Sequence, residues 1–212
     1  MRNMLPRLYL ISDRHQIPAG REFLEVLEEL LTAGVKMIQL REKDLPTNQL
    51  YPLAVKVREL TAHYDALLLI NDRIDIALAV GADGVHLGHH SLPASVARKI
   101  LGPKALIGVS THSLEQLSVA EAAKANFATF GPVYHTPSKA AYGDPVGIKK
   151  LQIACSQTKL PVYALGGIKA ENAAVPLKCG AYGVSLISAL IAATDPKASW
   201  HSFEQIIQEN EL

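Results

Sequence analysis

A short polar loop after an apolar strand carries the clearest chemical signal in this chain. Residues 127–131 have a strand pattern that ends at a glycine, and the next loop places the hydroxyls of Thr136 and Ser138 beside the ammonium group of Lys139. Hydroxyl donors next to a cation suit phosphate groups, because each oxygen needs a donor and the group needs a counter-charge. The loop therefore predicts a phosphate-binding segment.

A second cluster alternates along the end of another predicted strand. Gln39, Arg41 and Lys43 occupy every other position, and an extended segment would point all three side chains to the same side. Two cations and an amide on one side predict a grip for an anionic ligand, and with Lys139 they would suit a diphosphate. The competing interpretation is a solvated strand end whose charges pair with nearby carboxylates.

Asn71 and Asp72 directly follow the apolar run 67–70. Either residue is a good N-cap for the helix predicted to begin at Arg73. A carboxylate beside phosphate-binding cations would also repel the ligand unless a magnesium ion lay between them. The two roles are compatible because two side chains are present, so the sequence predicts both a cap and a magnesium ligand here.

Histidines cluster in two places near predicted strand ends. His86, His89 and His90 have no carboxylate or thiolate close by, so their spacing does not favour a zinc site. His112 lies two residues after Ser110 and just before a predicted helix. A neutral imidazole at that position is a candidate proton shuttle, and a helix cap is the simpler alternative.

Two further loops expose backbone amides rather than charges. Gly166 and Gly167 follow one predicted strand, and Ile187 and Ser188 follow the next at the start of a helix. Bare N–H groups at such turns bind phosphate well. The sequence predicts a monophosphate site here, opposite the cationic cluster. Two facing anion sites predict an enzyme that joins two phosphorylated small molecules, or one descended from such an enzyme.

The elements that must position these residues alternate strictly between strand and helix. Strand patterns cover residues 7–12, 35–41, 67–71, 84–87, 105–109, 127–131, 162–165 and 183–187. Helix patterns cover residues 20–33, 47–63, 73–80, 92–101, 113–123, 147–155, 170–178 and 197–209. Eight such units predict one α/β domain, a (β/α)₈ TIM barrel over residues 1–212, with a doubly wound open sheet as the alternative. In a barrel all the polar clusters would meet at one end.

Composition limits the classes of function. Of 212 residues, 49% are hydrophobic and 19% are charged, and the net charge of +1 argues against nucleic-acid or membrane-surface binding. Cys155 and Cys179 are expected to be reduced packing residues. The N-terminus shows no signal-peptide pattern and no apolar run is long enough to span a bilayer, so a cytoplasmic enzyme is expected. Exposed barrel helices are compatible with a homodimer.

These residues together resemble the thiamine phosphate synthase and TenI-like (thiazole tautomerase) family. The resemblance covers nearly the whole chain in order, and its motifs are jointly specific. The matching stretches are 9–13 (YLISD), 39–43 (QLREK), 70–72 (IND), 81–88 (GADGVHLG), 108–113 (GVSTHS), 130–133 (FGPV) with 136–139 (TPSK), 166–168 (GGI) and 187–188 (IS). The family's fold is the same (β/α)₈ barrel.

The resemblance implies a transferase that joins hydroxymethylpyrimidine diphosphate to a thiazole phosphate and releases diphosphate. It implies that Mg²⁺ binds Asp72 and that Gln39 and Ser110 contact the pyrimidine. The implied diphosphate ligands are Arg41, Lys43, Asn71 and Lys139, and the implied thiazole phosphate ligands are Thr136, Ser138, Gly167, Ile187 and Ser188. The protein would mainly position the partners and neutralise the leaving group.

One motif departs from the family pattern. Ser91 occupies the position at which the synthases carry a second aspartate for magnesium, and His89 occupies that of a glutamine. Loss of one carboxylate is expected to weaken magnesium binding. Together with the loop 136–145, this departure makes a TenI-like thiazole tautomerase, with His112 as acid and base, the alternative enzyme. A non-catalytic protein that binds phosphate or thiazole is the alternative of another class.

Overall fold

A computed structural model describes residues 5–136 and 144–210 of the chain. Eight parallel strands pair in sequence order, and β8 pairs with β1, so the sheet closes into a barrel. The strands are β1 (Leu8–Ile11), β2 (Met37–Leu40), β3 (Leu67–Asn71), β4 (Gly84–Leu87), β5 (Leu106–Thr111), β6 (Phe127–Phe130), β7 (Val162–Leu165) and β8 (Gly183–Leu186). The predicted barrel is confirmed, and the open-sheet alternative is wrong because no strand edge remains unpaired in this sheet.

Helices follow the strands and form the outer layer. They are α1 (Phe23–Ala33), α2 (Thr47–His63), α3 (Ile74–Val80), α4 (Ala94–Leu101), α5 (Leu114–Ala122), α6 (Gly147–Ser156), α7 (Ala174–Lys178), α8 (Ser188–Ile191) and α9 (Pro196–Glu209). A 3₁₀ turn covers Arg14–Gln16. Two helices follow β8, because a short helix precedes the predicted last one. Prolines mark two helix starts, since Pro93 is the N-cap of α4 and Pro196 is the first residue of α9.

Alternation along the strands divides the apolar residues into two cores. One face of each strand packs against the helices, as Leu10, Ile38 and Leu68 do. The other face fills the inside of the barrel with a smaller, more aromatic cluster, which consists of Tyr9, Ile11, Met37, Leu69, Phe127 and Tyr163. Both faces are buried, which explains why the strands are apolar in unbroken runs.

Strand ends account for most differences from the predicted boundaries. The strand β2 ends at Leu40, so Arg41 lies just beyond it and Lys43 lies in a turn. The extended alternation that was expected to align Gln39 with both cations therefore does not continue through the motif. The strand β5 instead runs two residues further than predicted, to Thr111, and this places Ser110 within the sheet.

The helical outer layer carries both cysteines of the chain. Cys155 and Cys179 are both free thiols, as expected. Burial raises the pKa of the Cys155 thiol to about 11, which keeps this thiol protonated at neutral pH. Within the part of the chain that the structure describes, no helix is both long and apolar enough to span a membrane.

Candidate active site at the carboxyl ends of the strands

The carboxyl ends of all eight strands meet at one end of the barrel, because all strands are parallel. The residues predicted from sequence lie there in the described ranges: Gln39 and Arg41 at β2, Asn71 at β3, Ser110 and His112 at β5, Thr136 after β6, Gly167 after β7, and Ile187 and Ser188 after β8. Ser138 and Lys139 fall in the segment 137–143, outside the described residues.

A hydrogen-bonded chain of four side chains crosses the inside of the barrel below this end. The amide of Gln39 donates to the Tyr9 hydroxyl at 2.9 Å, and that oxygen lies 3.3 Å from Nδ1 of His86. Nε2 of His86 lies 2.9 Å from Oγ of Ser110. Ser110 is only half-buried, so the chain leads from the core to the open end of the barrel.

Burial keeps the imidazole of His86 neutral. Its side chain is 2% exposed, and removal from water lowers its pKa from 6.5 to about 3, with the positive charge of Arg41 as a second cause. The rings of Tyr9 and Phe127 lie with their centroids 5.6 and 5.8 Å from that of His86.

The loop that follows β2 is fixed by a buried carboxylate. Oγ of Ser12 donates to Oε1 of Glu42 at 2.5 Å and accepts from the backbone amide of Arg41 at 2.9 Å. Arg14 donates to Oε2 of Glu42 at 3.2 Å and also bonds Asp44. Glu42 and Asp44, the carboxylates on either side of Lys43 in the sequence, thus both pair with Arg14.

The region after β3 corrects one prediction. The N-cap of α3 is Arg73, and this cap makes no side-chain hydrogen bond, so neither Asn71 nor Asp72 caps the helix. Asp72 has a positive φ of 64°, and its backbone amide donates to the carbonyl of His86 at 2.8 Å. Asp72 is exposed, just beyond the carboxyl end of β3.

Ser91 bonds within its own turn. Its Oγ accepts a hydrogen bond from the backbone amide of Gly88 at 2.7 Å. His89 and His90 are exposed in the same turn, with their rings stacked edge to face at a centroid distance of 5.1 Å. Across residues 5–136 and 144–210, no group of three histidine, cysteine or acidic side chains forms a metal cluster.

His112 has one ring nitrogen committed to the backbone. Its Nδ1 bonds the carbonyl oxygen of Gly131, and its own amide donates to Oε1 of Gln116 at 2.7 Å. A carbonyl can only accept, so Nδ1 carries the proton and Nε2 of the neutral ring has the lone pair. Ser113, rather than His112, caps α5 through Gln116 N, so the capping alternative for His112 is wrong.

The loop after β7 requires glycine at both predicted positions. Gly166 and Gly167 have positive φ angles of 98° and 65°. A Cβ on Gly167 would lie 2.7 Å from both His135 O and Tyr134 Cβ, closer than such contacts allow. Asn172 also donates to the carbonyl of Gly167 at 3.0 Å, so this turn is held from two sides.

The loop after β8 leads directly into α8. Ile187 is the N-cap of this helix, with φ −119° and ψ −91°, and Ser188 is its first residue. Ser188 is exposed at the same end of the barrel as Gly167. The two loops that sequence analysis assigned to a monophosphate are therefore neighbours, since β7 pairs with β8.

Sequence reasoning did not predict the contacts of four residues that build this end of the barrel. Tyr9 and His86 are buried inside it, and Ser12 and Glu42 fix the loop of Arg41. The available signal was polarity within unbroken apolar strands, because a polar side chain there must find a partner. Spacing alone could not identify that partner, since each pair joins different strands or loops.

Comparison with known proteins is consistent with this geometry. Residues 8–190 match the family model described as thiamine monophosphate synthase. A protein of Geobacter sulfurreducens, provisionally named a thiamine-phosphate synthase, is 57% identical over 190 residues, which cover 90% of this chain and 89% of the relative. The thiamine-phosphate synthase of Moorella thermoacetica is 41% identical over 192 residues, which cover 91% of each protein.

A solved structure shares both fold and sequence. The thiamine phosphate pyrophosphorylase from Pyrococcus furiosus superposes with a TM-score of 0.87 at 37% identity, over 96% of both chains. At this identity the likeness extends beyond the barrel itself to a large share of the residues.

Proposed function

The chain belongs to the thiamine monophosphate synthase family, and from that premise we propose that it makes thiamine phosphate by joining hydroxymethylpyrimidine diphosphate to a thiazole phosphate. The observation that carries this proposal is the polar chain ending at Ser110, at the same end of the barrel as Arg41, whose positive charge acts on His86 of that chain. A polar heterocycle bound at Ser110 would thereby have its diphosphate next to a positive charge. Residues 137–143 would add Ser138 and Lys139 to this site.

The proposed reaction breaks the carbon–oxygen bond between the pyrimidine methylene and the diphosphate. The bonding electrons leave with the diphosphate, the ring amine stabilises the resulting cation, and the thiazole nitrogen donates its lone pair to form the new carbon–nitrogen bond. In this scheme Gln39 and Ser110 orient the ring. Arg41, Lys43 and Lys139 are proposed to neutralise the leaving group, and Asn71 is proposed to hold the diphosphate with them.

The thiazole phosphate is proposed to bind across the last two loops. Gly167 offers a backbone amide at a turn that no larger residue fits, and Ser188 lies at the start of α8. Thr136, Ser138 and Ile187 complete the proposed phosphate ligands. Since β6, β7 and β8 are consecutive in the barrel, this subsite would lie across the mouth from Arg41.

The site offers one protein carboxylate for a magnesium ion. Mg²⁺ usually takes one or two protein carboxylates together with substrate phosphates. Asp72 offers one exposed carboxylate that no helix cap occupies, whereas Ser91 offers only a hydroxyl that already accepts from Gly88. When bound with the diphosphate, the ion would neutralise charge on the leaving group. We therefore propose Asp72 as its protein ligand, with the substrate supplying most of the others.

The proposal extends to the substrates, the cellular location and the oligomeric state of the protein. We propose small phosphorylated molecules as the only substrates, in keeping with the near-neutral charge of the chain. A cytoplasmic location and a homodimer are proposed on the sequence grounds given above, and size-exclusion chromatography with light scattering would test the latter.

Turnover of the purified protein tests the main proposal. With both substrates and Mg²⁺, we expect stoichiometric thiamine phosphate and diphosphate, and we expect Lys139→Ala to lower kcat strongly. Lys150→Ala is a matched control, because Lys150 is an exposed lysine on α6. Absence of product over a wide range of magnesium concentrations would refute synthase activity. Saturable ligand binding without any turnover would instead support the non-catalytic binding protein.

The geometry of His112 favours a second candidate function. Its Nδ1 donates to Gly131, so Nε2 is available as a base at the mouth of the barrel. A thiazole tautomerase would use such a group to move a proton on a thiazole carboxylate phosphate. This activity should appear as an ultraviolet absorbance change without magnesium, and His112→Ala should slow that change while leaving diphosphate release intact.

A further inference from the structure

The four buried or half-buried polar groups of Gln39, Tyr9, His86 and Ser110 form one continuous chain with a definite direction. Gln39 donates to the Tyr9 oxygen, and this donation lowers the pKa of Tyr9 against the larger opposite effect of burial. A phenol has a single proton, so the Tyr9 hydroxyl is left to donate to its other neighbour, Nδ1 of His86, at 3.3 Å. The donation from Gln39 to Tyr9 thus determines that Tyr9 is the donor in its hydrogen bond with His86.

The tautomer of His86 follows from that link. Nδ1 accepts from Tyr9, so a neutral ring must carry its proton on Nε2. Nε2 then donates to Oγ of Ser110 at 2.9 Å. The hydroxyl proton of Ser110 is consequently not used in this bond and remains available for another acceptor.

We propose that Tyr9 and His86 are positioning residues that make the Ser110 hydroxyl a hydrogen-bond donor toward the bound ligand. The partner would be an acceptor such as a ring nitrogen of an aminopyrimidine, and a ring with C–H at that position would be disfavoured. This choice of ligand rests on the proposed function. The fixed direction of the chain does not, because it follows from hydrogen bonds within the protein.

Packing leaves the imidazole little freedom to turn over. A Cβ on Gly108 would lie 2.7 Å from Nδ1 of His86 and 2.3 Å from Cζ of Phe127, so glycine provides the space that this ring occupies. Tyr9 and Phe127 contact the same ring. A ring held in this way keeps Nδ1 toward Tyr9 and Nε2 toward Ser110.

Nitrogen NMR of histidine-labelled protein without ligand tests the direction of the chain. Two-bond proton–nitrogen correlations distinguish the tautomers, and the signal absent from His86→Gln identifies His86. We expect the Nε2–H form in the wild type, a mixture of tautomers in Tyr9→Phe, and an unchanged spectrum in Tyr163→Phe. Tyr163 is a matched control: it is buried in the same aromatic cluster, but its hydroxyl donates to the carbonyl of Pro6 at 2.6 Å.

An Nδ1–H form in the wild type would overturn the proposal, as would a Tyr9→Phe spectrum identical to that of the wild type. Synthase kinetics provide the second readout. Loss of one oriented hydrogen bond should lower kcat/KM for the pyrimidine diphosphate about five- to tenfold in Tyr9→Phe, while KM for the thiazole phosphate stays constant. His86→Gln retains an N–H donor, so its kcat/KM for the pyrimidine diphosphate should be higher than that of His86→Leu. Equal losses in both His86 variants would contradict the donor role.

The two measurements separate this inference from the proposed function. If the wild-type protein forms no thiamine phosphate, the proposed function fails, and the tautomer in the ligand-free protein still decides the direction of the chain. If the protein forms thiamine phosphate but His86 has the opposite tautomer, only the positioning role fails.

Discussion

Ser12 and Glu42 form a 2.5 Å hydrogen bond directly beneath the loop that presents Arg41. Glu42 is 4% exposed, and Ser12 also accepts the amide proton of Arg41. Because Arg14 neutralises the carboxylate, this buried acid fixes the loop without opposing the positive charge of the site. Glu42 thus helps to hold the loop that carries Arg41, while its own charge is paired with Arg14.

Glu42→Gln should weaken both stability and substrate binding. The new amide would place an N–H donor against the donors of Arg14 or Ser12, leaving buried groups unsatisfied at a cost of about 1–3 kcal/mol. We expect a lower denaturation midpoint and a higher KM for the pyrimidine diphosphate. Asp44→Asn is the control, because Asp44 is an exposed partner of the same Arg14 and should matter far less. Equal effects of the two substitutions would contradict the role of Glu42.

His86 should make stability depend on pH in a predictable window. Its pKa is 6.5 when the chain is unfolded and about 3 in the folded protein, where burial and Arg41 oppose protonation. Between pH 6.5 and about 3 only the unfolded state takes up a proton at this residue, so the free energy of unfolding falls as the pH decreases below 6.5. Above pH 6.5 the ring is neutral in both states, and its contribution to stability is fully present.

Chemical denaturation of the wild type and His86→Gln measures this contribution. The wild-type free energy of unfolding should fall more steeply with decreasing pH, by up to about 1.4 kcal/mol per pH unit, once pH is below the unfolded value. Parallel curves for the two proteins would mean that the imidazole is not kept neutral by its surroundings.

Gly167→Ala should impair the proposed thiazole phosphate subsite. The substitution combines a left-handed backbone, at φ 65°, with close contacts to His135 O and Tyr134 Cβ. Gly81→Ala is a matched control, since Gly81 has φ 63° and no atom within 4 Å of its added Cβ. Both variants carry about 1–2 kcal/mol of backbone strain, but only Gly167→Ala should raise KM for the thiazole phosphate. Similar kinetics for both would place this phosphate elsewhere.

Magnesium dependence should change in opposite directions when Asp72 loses its carboxylate and when Ser91 gains one. Asp72→Asn removes the exposed carboxylate and should raise the magnesium concentration needed for half-maximal synthesis. Ser91→Asp adds a carboxylate in the loop after the neighbouring strand β4 and should lower that concentration. Asp75→Asn is the control, because the Asp75 carboxylate is paired with Arg73. Unchanged magnesium curves in the first two variants would exclude this end of β3 and β4 as the metal site.

Strand and helix order was readable from the sequence, and so was the barrel. Runs such as 67–70 are apolar on both faces, which only a covered parallel sheet requires, and eight units close on themselves. The ends of elements were less predictable. The strand β2 stops at Leu40 because the next residues bond the side chains of Ser12 and Arg14 from a different loop.

The sequence by itself determined which residue types gather at the mouth of the barrel, because parallel strands bring their carboxyl ends together whatever their exact bounds. It thus predicted that Gln39, Arg41, Ser110 and Gly167 lie at the same end of the barrel, where the structure places them. Only the tertiary structure decided how they are held: His86 lies between Tyr9 and Ser110, from three different strands. Hydrogen-bond direction depends on contacts between residues distant in the chain, and local spacing carries no record of them.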